Sequence, residues 1–208
     1  MSLRNVIIEG CDLSREDAVI AIIEVSDCPS QSTDASVIQL QHVDFTSNRN
    51  LGGSIGLAVR EPSCYTIEMQ YVSFESNLYT EASQLAHQNQ LRNLSLSNNK
   101  LSTTARQKTS LFDLPQSSST IVRSLSAESS MGTQFRVDAG VLDIRDSFFS
   151  WNSGRRGAIV AFNSSVSIST SLFDSNSCNG NGGAVFMDDG CNGTFTSVLF
   201  VNNSAQAG

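Results

Sequence analysis

Phe45-Thr46-Ser47-Asn48, Phe74-Glu75-Ser76-Asn77, Phe149-Ser150-Trp151-Asn152, Phe173-Asp174-Ser175-Asn176 and Phe200-Val201-Asn202-Asn203 share one pattern: an aromatic anchor with an asparagine three residues on. A relaxed copy runs from Leu96 to Asn99. Two degenerate copies, Leu13 to Glu16 and Leu125 to Glu128, put Leu and an acid in the same places. The better-defined anchors stand 22 to 29 residues apart. That is the length of one solenoid coil built from short strands and turns.

Working outward, an apolar residue precedes each anchor by five positions: Ile8, Leu40, Met69, Leu91, Ile144, Ile168 and Phe195, with Thr120 before Leu125 as the exception. Val166-Ser167-Ile168 alternates apolar and polar, as a strand with one buried face does. Five is an odd step, so a straight strand would place the two apolar positions on opposite faces. Both point inward only if the chain bends between them. Beyond several anchors a Gly-containing pair leads into an apolar strand, at Gly52-Gly53-Ser54-Ile55, Gly132-Thr133-Gln134-Phe135, Arg156-Gly157-Ala158-Ile159 and Gly182-Gly183-Ala184-Val185. These read as tight turns with no room for a Cβ.

The expected fold is therefore all-β: a right-handed parallel β-helix of about eight coils, one per copy, spanning residues 1–208 as a single domain. Like residues stack at about 4.8 Å in such a fold. Phe45, Phe74, Phe149, Phe173 and Phe200 would then form an internal aromatic stack. Asn48, Asn77, Asn152, Asn176 and Asn203 would form a ladder at a turn. No stretch sustains the i, i+3, i+4, i+7 spacing of a helix over three turns. An antiparallel sandwich would show short hairpin turns and would not need the same residue at each one. Lys100 to Thr120 breaks the pattern, being polar, locally basic and interrupted by Pro115. It is expected to leave the wall as a loop, since insertions in repeats collect at turns. Both ends of the chain cut through the repeat, as in a fragment of a longer protein.

Composition agrees with short strands and many turns. Of the 208 residues 39% are hydrophobic and only 16% charged, the balance being largely Ser, Thr, Asn, Gln and Gly. A net charge of −7 argues against a nucleic-acid partner, because phosphate binding needs clustered Lys and Arg. Cys11, Cys28, Cys64, Cys178 and Cys191 are widely spaced with no His at ligand distance, so no metal site is expected. Cys11 with Cys28 and Cys178 with Cys191 flank predicted strands and could each be a disulfide or a pair of free thiols. The longest apolar run, Ala18 to Ile23, is too short to span a bilayer, so no transmembrane segment is expected. Sequons begin at Asn93, Asn163, Asn192 and Asn202, about as many as this much Asn, Ser and Thr produces by chance.

Phe-x-x-Asn combined with Gly-Gly-Ala-(Ile/Leu/Val) resembles the repeat signature of chlamydial polymorphic outer membrane proteins and related right-handed β-helix surface proteins. The likeness covers residues 45–77 and 141–208 best. It implies an exposed autotransporter passenger associated with adhesion, at the cell surface or outside the cell. Gly-Gly-Ser-Ile at 52–55 and Arg-Gly-Ala-Ile at 156–159 depart from the family tetrapeptide, and neither an export signal nor a C-terminal barrel is visible.

Parallel β-helices also host enzymes that cleave acidic polysaccharides with carboxylates and a basic residue. The candidates are Asp143, Arg145 and Asp146 in Val-Leu-Asp-Ile-Arg-Asp, then Asp174, Asp188 and Asp189. Asp143 and Arg145 alternate with Leu142 and Ile144 and should project outward together, with Asp174 one coil beyond. Equally, outward charges keep a solenoid soluble, and Asp188-Asp189-Gly190 reads as a turn. His42 and His87 are isolated, and the Gly-rich 179–183 lacks the Lys-Ser/Thr of a phosphate loop. The reading that results is a non-enzymatic scaffold, adhesin-like, binding a glycan or a surface protein without a cofactor. A polysaccharide lyase or glycoside hydrolase is the alternative.

Overall fold

A computed structural model describes residues 2–13, 36–50, 65–79, 83–84, 88–101, 110–188 and 190–207. Gly52, Gly53, Asp189, Cys28, Cys64 and His87 lie outside the described residues. Those described form an all-β, parallel β-solenoid with no helix. Its longest wall stacks Ser2–Glu9, Ser36–Thr46, Tyr65–Glu75 and Gln88–Ser97. Above these come the two-part rungs Ser119–Arg123 with Ser126–Glu128 and Val141–Arg145 with Phe148–Ser150, then Ser165–Asp174 and Asn192–Val201. All pair in parallel. A second wall is made of two-residue strands, among them Arg49–Asn50, Leu78–Tyr79, Ser153–Gly154 and Ser177–Cys178. A third stacks Ser83–Gln84, Ser110–Leu114, Thr133–Asp138, Ile159–Phe162 and Val185–Met187.

The bend required by the five-residue step is one residue in the left-handed region on each rung of the long wall. Asn5, His42, Tyr71, Asn93, Ser124, Asp146, Thr170 and Ser197 occupy it, with φ between 47° and 55°. Each reverses the in–out alternation, so Leu40 and Phe45 both reach the core, at 1% and 0% exposure. A second left-handed column lies two residues past the anchor: Gly10, Ser47, Ser76, Asn98, Ser129, Trp151, Ser175 and Asn202. Gly and Asn lose least there, and the small Ser fills most of the other places.

The next residue turns inward, and that residue is the repeated asparagine. Asn176 is fully buried. Its Oδ1 accepts from the Asn152 amide at 3.1 Å and from Asn152 Nδ2 at 2.9 Å. Its own amide and Nδ2 donate to Asn203 Oδ1 at 3.0 and 2.9 Å, and Nδ2 also donates to the Phe149 carbonyl at 2.9 Å. Asn48 and Asn77 repeat the arrangement, and Asn99 differs only above, where its amide donates to the Ser130 hydroxyl at 3.3 Å. Buried turn groups are thereby paired where a two-residue strand alone would leave them short of partners.

Inside, Phe45 and Phe74 stack at 4.6 Å, as do Phe149 and Phe173, and Phe173 stacks on Phe200 at 5.1 Å. Leu96 and Ala127 interrupt the column. There Phe112 of the third wall stands edge-on to Phe74 at 5.4 Å and stacks on Phe135 at 5.4 Å, so aromatic volume crosses from one wall to another.

Three sequence expectations change. The first rung is anchored by Ile8, not Leu13: Ile8 pairs with Phe45 and Leu3 with Leu40, and the Cys11 amide donates to Asn48 Oδ1 at 3.0 Å. In the middle the anchor is Ala127, not Leu125. Ala127 pairs with Leu96 and Phe149, Val122 fills the position five residues earlier, and Ser130 stands in for Asn. The exception at Thr120 therefore disappears. Finally, Lys100 to Thr120 is not one loop leaving the wall. Lys100–Leu101 pairs with Leu78–Tyr79, and Ser110–Leu114 is a third-wall strand with Leu111, Phe112 and Leu114 buried. Only 102–109 lies outside the described residues.

Candidate ligand-binding face

Because the long wall keeps its register through rungs separated by 22 to 37 residues of chain, outward side chains form straight columns. One column reads Arg4, Gln41, Gln70, Arg92, Arg123, Arg145, Ser169, Thr196. Its neighbour, two residues earlier on each rung, reads Ser2, Gln39, Glu68, Gln90, Ile121, Asp143, Ser167, Thr194. Three arginines thus stand on consecutive rungs, and no acid occurs in their column. Beside Gln41 and Gln70, on the two rungs before Arg92, the bend residues His42 and Tyr71 stack their rings at 4.7 Å, and Tyr71 is 48% exposed.

Hydrogen bonds order the face. Gln39 donates to Glu68 at 2.9 Å, and Arg92 donates to Gln90 at 3.1 Å. Arg145 grips Asp143 with its Nη2 at 2.6 Å and its Nε at 3.0 Å from the same carboxylate oxygen. Hydrogen bonding to Asp143, and its charge, hold the Arg145 proton more firmly than in a free guanidinium. Arg123, between Arg92 and Arg145, is exposed and has no acidic partner among the described residues. A shallow groove of about 430 Å³ opens over the column between Arg4 and Arg92.

The sequence-derived candidates are only partly brought together. Asp143 and Arg145 do project outward side by side, as a closed ion pair. Asp146 is the left-handed bend residue of its rung. Asp174 lies one rung on but pairs with Ser150, past the bend, and accepts from its neighbour Ser175 at 2.8 Å. Asp188 sits in a turn, its carbonyl accepting from the Cys191 amide at 3.3 Å. Among the described residues no second carboxylate faces Asp143 across a cleft, the arrangement glycoside cleavage uses. Nor is there a group of three His, Cys, Asp or Glu suited to a metal ion among them. Cys11, Cys178 and Cys191 are free thiols, so the Cys178–Cys191 pair is not a disulfide.

Another cationic group, on the third wall, is already engaged. Arg136 lies 4.6 Å from the Phe162 ring centre and pairs with Asp138 at 3.6 Å, and Arg156 packs over Phe162 and Phe186 at 5.0 and 4.8 Å. No helix among the described residues is long and apolar enough to cross a membrane. No protein family matches the sequence, and no curated protein does.

Proposed function

We propose that this chain is a right-handed parallel β-helix of about eight coils that serves as a non-enzymatic scaffold at the cell surface or outside the cell. In this reading it is adhesin-like and binds a glycan or a protein along its length, in the manner of the polymorphic outer membrane proteins its repeat resembles. The observation that supports it is the register of the long wall. Outward residues repeat at about 4.8 Å from rung to rung, which suits an extended partner better than a compact one. Ordered amides, arginines and an exposed aromatic stack supply hydrogen bonds and ring contacts without converging on a reaction centre.

The test is a binding survey on immobilised glycans and cell-surface proteins with two variant sets. Outward substitutions on the long wall, such as Gln70→Ala and Tyr71→Ala, are expected to weaken capture while leaving the β-sheet circular dichroism unchanged. Loss of a polymer substrate during incubation, abolished by Asp143→Asn, would instead make the protein a carbohydrate-active enzyme.

A further inference from the structure

We infer that the arginine column of the long wall seats the carboxylates of a linear, uronate-bearing polysaccharide laid parallel to the solenoid axis. This rests on the scaffold reading and names its ligand. The structure contains its own example of the contact. The Asp143 carboxylate sits on the Arg145 guanidinium with Nη2 donating to one oxygen at 2.6 Å and Nε to the other at 3.2 Å, the two-donor geometry in which arginine takes a carboxylate. Arg123 and Arg92 present the same group on the next two rungs. Arg123 carries no acid, and Arg92 is occupied only by the neutral Gln90 amide oxygen.

Like charges stacked at about 4.8 Å repel, so an anion shared along the column relieves them, and a polymer bearing one acid per sugar supplies several at once. Sugar hydroxyls have partners beside the column. Gln41 and Gln70 continue it towards Arg4, and their amides are joined by one 3.4 Å contact that leaves other donors and acceptors open. The half-exposed Tyr71 ring offers an apolar face to a pyranose. The protein's net charge of −7 opposes any polyanion at a distance, so binding rests on the local column of arginines.

Titration calorimetry of the folded protein with polygalacturonate at low and raised salt tests this, alongside dextran, dextran sulfate and single-stranded DNA. Binding of polygalacturonate that weakens with salt is expected, with dextran far weaker. Arg92→Gln and Arg123→Gln should each lower affinity about tenfold, the worth of a charge-assisted hydrogen bond. Arg145→Gln should lower it less, because Asp143 already occupies that group. Circular dichroism verifies that each variant stays folded. Equal affinity for dextran, tighter binding of DNA or dextran sulfate, or a double Arg variant that binds like wild type would overturn the inference. Polyuronate refused while a neutral glycan or a protein is captured through the long wall would remove this ligand and leave the scaffold standing. No capture of anything by that wall would remove both.

Discussion

Each buried asparagine of the repeat couples three rungs. Asn176 accepts from the rung below through Oδ1, donates to the rung above, and reaches back with Nδ2 to the Phe149 carbonyl. Asn176→Ala would leave the Asn152 amide buried without a partner and strip the half-buried Asn203 Oδ1 of its Nδ2 donor, while the Phe149 carbonyl keeps its place in the strand ladder. A buried orphan costs about 1–3 kcal/mol, so the variant should lose about that much, read as a lower urea midpoint with unchanged slope. Tyr79 predicts the opposite sign. Its ring is buried at 1% exposure, its hydroxyl has no partner among the described residues, and burial pushes its pKa far above the ordinary phenol value. Tyr79→Phe removes a stranded polar atom and keeps the ring, so thermal denaturation should show a gain of about 1 kcal/mol. Both arguments need neighbours that only the stacking supplies. The sequence showed that Asn recurs, but not that its amide is shared by three rungs. Asn93, Asn163 and Asn202, which begin three of the four sequons, all adopt left-handed backbone. The turns themselves therefore account for the asparagine content on which those sequons depend.

At the scale of the element, one left-handed residue bends each long-wall rung, and glycines lead into three third-wall strands, Thr133–Asp138, Ile159–Phe162 and Val185–Met187. A Cβ on Gly157 would lie 2.3 Å from the Gly182 carbonyl oxygen and 2.5 Å from that of Ala184. These are backbone atoms of the next coil and cannot swing aside. Gly157→Ala should therefore cost about 2–3 kcal/mol by overpacking, measured by chemical denaturation, although Ala would be favoured at an ordinary strand position. Strand, bend and glycine turn were legible because Phe, Asn and Gly are distinctive letters. The rungs of Ile8 and Ala127 were misplaced because their anchors are ordinary apolar residues and Cys11 and Ser130 replace the asparagine. Leu13 and Leu125 imitate the motif nearby. The Asp143–Arg145 pair could be read from simple alternation along one strand. The arginine column could not. Arg92, Arg123 and Arg145 are separated by unequal lengths of chain, and only the register of three rungs aligns them.

Across the whole molecule, stability is a sum over coils and their interfaces, because each coil touches only its neighbours. Coil length is free to vary, from 22 to 37 residues between successive turn positions, provided that the long-wall register is kept. The outward surface is then periodic although the sequence beneath it is not, and that periodicity is what the proposed binding relies on. The claim that register governs the molecule can be tested by excision. Val141 pairs with Ser165 and Leu142 with Val166, so removing residues 142–165 deletes one coil of 24 residues and joins Val141 to Val166 in phase. Removing only 142–153 takes the same strand but splices the chain out of phase. Circular dichroism with thermal unfolding should show β-sheet and a cooperative transition for the in-phase deletion, and loss of both for the shorter one. If the two deletions behave alike, both folded or both unfolded, the register account is contradicted.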